Sequence, residues 1–224
     1  MTRAARLLDG LRPAPETAAA FVALSVAELA VLAAYVAATP GDVTAVRYLL
    51  YPFAWLNAAA LAVWRVDLAP ASRRRRVLAA AAGAGYFLAL AWVGGLVSPA
   101  HHAGGVTVYW GLPPGWGPLV VAIVGPARFA PTPYQAVGYL ALAYLVAAAV
   151  RDADASLTGL VVGAFSCVSC TLPLLAAAVS AVAGGTVGVA ASAAWSYDLS
   201  TLAFLSAVCL LAWRPDAALL SRLR

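Results

Sequence analysis

Six runs of about twenty apolar residues dominate this sequence, at residues 17–38, 44–64, 77–97, 134–150, 157–182 and 186–213. A helix of about 20 such residues crosses the hydrocarbon core of a bilayer, so these runs read as spans. A closed barrel is the other structure that satisfies its backbone in lipid. Its strands alternate apolar and polar residues over about ten positions, and residues 140–150 show no alternation. The expected fold is therefore all-α, a bundle of six transmembrane helices forming one polytopic domain over residues 1–224. Only 10% of the residues are charged, against about a quarter in a soluble domain, which excludes a soluble protein. Arg3, Arg6 and Arg12 precede the first run as they would in a signal peptide, but the run exceeds an apolar signal region of about 7 to 15 residues and is read as a retained span.

Arginine sets the expected orientation. All fourteen basic residues are Arg, and short Arg-rich loops stay cytoplasmic. Six spans put Arg3, Arg6, Arg12, Arg65, Arg73, Arg74, Arg75, Arg76, Arg151, Arg214, Arg222 and Arg224 on one side, leaving Arg47 and Arg128 on the other. Both termini are expected in the cytoplasm, with the chain a multi-pass protein of the cell membrane and the lipid bilayer its first partner. Charge scattered between apolar runs makes no stripe for nucleic acid, so no nucleic-acid partner is expected. The run Arg73 to Arg76 reads first as a topology anchor and secondarily as a lipid-headgroup or partner site.

Residues 98–133 form the long connection, expected outside the cytoplasm. Its glycines and prolines forbid one regular helix, and its apolar middle at 119–124 is too short to cross, which suggests an interfacial or re-entrant piece with Tyr109, Trp110 and Trp116 near the headgroups. His101 and His102 are adjacent without further ligands nearby, so an exposed polar pair is expected in place of a metal site. In the last run, Asp198 followed by Leu199, Ser200 and Thr201 resembles a helix N-cap. The favoured reading is a short outer segment followed by a helix of about 15 residues; the alternative is one helix with Asp198 buried.

Chemistry concentrates in the fifth run. Cys167 and Cys170 are three apart on one helical face, with Cα atoms about 5 Å apart. That distance suits a disulfide, but the Cβ separation of about 5 to 6 Å suits a soft metal such as copper or zinc better. Pro173 removes its own N–H and crowds the carbonyl of Ser169, giving a kink or break beyond the thiols. A helix restarting there would favour the reactive thiolate; without a break, the apolar setting leaves both thiols as inert packing. Cys209 lies nearer a span end and does not complete the pair. Glu28 stands mid-span, where an ionisable group is costly and suggests function; the plainer alternative is a protonated carboxyl bonded to Ser25 or to a neighbouring helix. Asn57 reads as interhelical glue.

The motifs YPFAWLN at 51–57, LPPGWGP at 112–118 and SCVSCTLP at 166–173 resemble an uncharacterised family of haloarchaeal multi-span integral membrane proteins. The resemblance covers most of the chain and implies a polytopic membrane fold without implying an activity. Disulfide-reductant transporters and vitamin K epoxide reductases are similar only in having intramembrane cysteines. The former place one cysteine on each of two helices, and the latter carry a second pair in an exposed segment, where this chain has none. Three readings stay open: an accessory protein handling thiol redox or copper through Cys167 and Cys170, with Pro173 shaping access; a small-solute transporter or channel using Glu28; and a structural subunit packing against other membrane subunits. No phosphate-binding G-x-x-x-x-G-K-[ST] loop is present, and the chain is expected not to be an enzyme.

Overall fold

The computed structural model describes residues 15–39, 46–100, 104–152 and 186–212. Cys167, Cys170, Pro173 and the whole fifth apolar run lie outside the described residues, as do His101 and His102. The chain divides into two units, one ending at Val46 and one beginning at Arg47. The first contains helix α1, Pro15–Ala38. Glu28 lies mid-helix and is half-buried, while the Ser25 hydroxyl donates to the Phe21 carbonyl at 2.9 Å.

The second unit holds α2 (Val46–Arg65) from its second residue on, together with α3 (Arg73–Val93), α4 (Pro133–Asp152) and α5 (Thr186–Ala212). Helices α1 to α4 are each long and apolar enough to cross a membrane. The ends are set by local chemistry. Ser72 caps α3 by accepting the Arg75 amide hydrogen. Helix α4 opens on Thr132-Pro133-Tyr134-Gln135, with proline at the first position, where its missing N–H costs nothing; the Thr132 hydroxyl donates to the Gln135 side-chain oxygen. Packing between α3 and α4 relies on small residues: a Cβ on Gly83 would come within 2.8 Å of the Ala143 carbonyl oxygen, so only glycine lets the backbones approach this closely.

Strands β1 (Val97–Pro99), β2 (Gly105–Tyr109), β3 (Leu119–Val124) and β4 (Ala127–Phe129) connect α3 to α4. They form an antiparallel sheet in the order β1-β4-β3-β2. The segment expected to be interfacial or re-entrant at 119–124 is thus a strand, with Leu119 opposite Tyr109 and Val124 opposite Ala127. Its Val- and Ile-rich sequence favours a pleated strand, which pairs with β2 over residues 119–123 and with β4 over residues 122–124. The architecture is mostly helical with this small sheet. The sixth run also differs from the favoured reading. Helix α5 continues through Asp198, which sits mid-helix instead of capping a helix start, because its carboxylate has partners on α2.

Buried side chains of α2, α4 and α5 form the core. Trp55, Ala59 and Ala62 from α2 meet Tyr134, Leu142 and Leu145 from α4 and Phe204, Ala207 and Leu211 from α5. The α2 residues recur three and four apart on one face.

Candidate functional site

Pro52 interrupts α2 and organises what surrounds it. Proline has no N–H, so the carbonyl of residue i−4, here Tyr48, loses its helical donor. That oxygen accepts instead from the indole Nε1–H of Trp116, at 2.8 Å. Trp116 belongs to the loop between β2 and β3. Its neighbour Gly115 has φ +84° and packs against the Pro52 ring so closely that any side chain would collide with it. Tyr134 N–H then bonds the Gly115 carbonyl at 3.2 Å, joining the loop to the first turn of α4. Two motifs 61 positions apart in sequence, at 51–57 and 112–118, are one structural unit.

Aromatic rings extend from this unit into the bundle. Trp116 meets Tyr134 edge-on at 4.9 Å and Tyr197 at 5.5 Å. Tyr134 in turn stands at 89° to Trp55, 5.4 Å away. Trp55 stacks on Phe204 with ring centres 3.8 Å apart and planes 4° from parallel, and its Nε1–H donates to Thr201 Oγ1 at 3.2 Å. Edge-on contacts of this kind contribute about 0.5–1.5 kcal/mol each beyond area burial. The cluster therefore joins α2, α4, α5 and the loop.

Against it lies a half-open groove of about 390 Å³, in the volume range of small-molecule sites. Trp55, Phe204 and Tyr139 provide aromatic wall, and Leu90, Val93, Leu142, Ala203 and Ala207 provide aliphatic wall. Gln135, Tyr197 and Ser200 are its polar groups. Because the Gln135 oxygen takes the Thr132 hydroxyl, its NH2 is the hydrogen-bonding group that Gln135 brings to a ligand. The arrangement can hold a flat apolar body and fix one polar end.

Asp198 sits beside this site. The Tyr51 hydroxyl donates to its Oδ1, and Arg47 Nη2 lies 3.8 Å from its Oδ2. Oδ2 is itself buried and accepts no hydrogen bond among the described residues. Arg47 is half-exposed, donates to the Tyr48 hydroxyl at 3.3 Å and lies 5.1 Å from the centre of that ring.

Of the residues singled out by sequence, Cys209 is an exposed free thiol on α5, Asn57 is half-buried on α2 and Glu28 lies on α1 in the other unit. Cys167, Cys170 and Pro173 lie outside the described residues. Among the described residues no group of three or more His, Cys, Asp and Glu is gathered as a metal would require. Sequence reasoning missed Trp55, Tyr134, Tyr139 and Phe204. Trp55 and Trp116 fall inside the first two motifs, which was the available signal. A family model described as a family of unknown function, DUF7546, matches residues 1–218. No curated protein and no solved structure matches the chain.

Proposed function

The chain belongs to DUF7546, and on that premise we propose that it is a polytopic membrane protein that binds a small, flat, largely apolar molecule in the cavity beside Trp55. The observation that carries this reading is the combination in one cavity of an aromatic wall with a few polar groups, Gln135, Tyr197 and Ser200, able to fix one end of a ligand. Such a site suits a carrier or a sensor of an aromatic solute with one hydroxyl or carbonyl, in line with the small-solute reading of the sequence. Both termini are proposed to be cytoplasmic, a reading supported by the distribution of arginine.

Binding of 2-naphthol to the purified protein tests it, read as tryptophan fluorescence quenching, with Ala203→Phe as the cavity-filling control. Saturable quenching that is lost in Ala203→Phe supports the proposal. Quenching that is absent, or equal in both proteins, rejects it.

A second reading, accessory handling of thiols or copper through Cys167 and Cys170, is supported by their spacing and by Pro173. Metal analysis together with counting of free thiols tests it: bound copper, or the reversible loss of two thiols on oxidation, favours the pair.

A further inference from the structure

We propose that the end of the bundle opposite the sheet is a binding site for the phosphate of an anionic lipid. Three helix ends converge there. Arg65 is the last residue of α2, Arg73, Arg74, Arg75 and Arg76 open α3, and Arg151 lies in the last turn of α4. The ends are fixed to one another: Arg75 Nη1 donates to the Arg151 carbonyl at 3.4 Å, and the Tyr144 hydroxyl of α4 donates to the Val66 carbonyl, just beyond α2, at 2.6 Å. Six of the eight arginines among the described residues thus lie at this one end of the helices. The described acidic residues at this end are Asp67 and Asp152, so a net positive charge of about four remains.

The placement of these arginines runs against the helix that carries them. The start of a helix is the positive end of its dipole, and four guanidinium groups there add like charge to like. A bound phosphate reverses both effects, and guanidinium forks match its oxygens two at a time.

Neighbouring side chains specify a lipid over a soluble anion. Residues four apart on a helix lie one above the other, so Arg73 stands over Val77 and Arg74 over Leu78. Val77 is 61% exposed and Leu78 55% exposed, and Trp64, next to Arg65, is 66% exposed. On α3, positive charge and exposed apolar surface therefore follow each other along the same faces, in the order that a headgroup and its acyl chains would need.

The test is native mass spectrometry of the full chain in detergent, titrated separately with phosphatidylglycerol, phosphatidylcholine and inorganic phosphate. Phosphatidylglycerol should bind at least about tenfold more tightly than phosphatidylcholine, and the preference should shrink as salt rises from about 50 to 500 mM, because exposed charges are screened. R73Q/R74Q/R76Q should lose the preference. An equal affinity for both lipids, a salt-independent preference in the wild-type protein, or an unchanged preference in the triple variant would overturn the proposal. Displacement of phosphatidylglycerol by equimolar inorganic phosphate would overturn it in favour of a soluble phosphate ligand. The salt series needs no substitution and so decides even if the triple variant does not fold.

Discussion

The indole N–H of Trp116 donates to the backbone oxygen of Tyr48, the one acceptor in α2 that Pro52 deprives of its helical partner. A helix defect and a loop tryptophan thereby complete each other. Trp116→Phe keeps the ring and removes the donor, and should destabilise the protein by about 1–2 kcal/mol. Pro52→Ala restores an amide donor to Tyr48 but loses the ring packed against Gly115. Its cost should be smaller in the Trp116→Phe background than alone, with a coupling of about 1 kcal/mol. Chemical unfolding in mixed micelles measures all four corners of this cycle; purely additive costs would deny the link.

Gly115 has a positive φ and no room for a side chain beside Pro52. Gly115→Ala should therefore cost at least about 2 kcal/mol through backbone strain and overpacking together. The same unfolding assay reads it, and a loss below about 0.5 kcal/mol would mean that the loop is not seated on α2 as described.

Asp198 has two partners of unequal value. Tyr51→Phe removes a hydrogen bond to a partly buried carboxylate and should cost about 1–3 kcal/mol. Arg47 is 52% exposed and 3.8 Å away, so Arg47→Gln should change stability by less than about 1 kcal/mol. Finding the larger loss in Arg47→Gln would reverse the assignment of what holds Asp198.

If all six apolar runs cross the membrane, reporter fusions at the two termini should place both in the cytoplasm, the side that the arginine distribution favours. Termini on opposite sides would reject the count of six.

If Cys167 and Cys170 act as one redox or metal unit, Cys167→Ser, Cys170→Ser and the double variant should abolish copper binding or reversible thiol loss to nearly the same extent, because residues acting together are strongly non-additive. Cys209→Ser should leave it intact, its thiol being exposed on α5. Independent partial losses would reduce the pair to packing.

The helices were legible because length and hydropathy decide them locally: the runs at 44–64, 77–97 and 134–150 correspond within a few residues to α2, α3 and α4. The sheet was not. Residues 119–124 are apolar enough to suit lipid, and nothing local reveals that β2 and β4 pair with them. Asp198 misled for a related reason. Asp followed by Ser and Thr has the chemistry of a cap, and the tyrosine that accommodates it mid-helix is 147 residues away. The aromatic cavity was not legible: Trp55 lies unmarked inside its motif, Trp116 reads as a headgroup aromatic, and their partners Tyr134 and Phe204 look like ordinary span residues until the helices are packed.

The long sequence separation between Tyr48 and Trp116 also has a meaning in time. The donor is synthesised 68 residues after its acceptor, an interval of roughly 3 to 14 seconds at the usual 5–20 residues per second of translation. Throughout that interval α2 carries a backbone oxygen that hydrocarbon cannot satisfy. Until the loop that carries Trp116 has emerged, that oxygen needs water, a headgroup or another donor beside the first turn of α2.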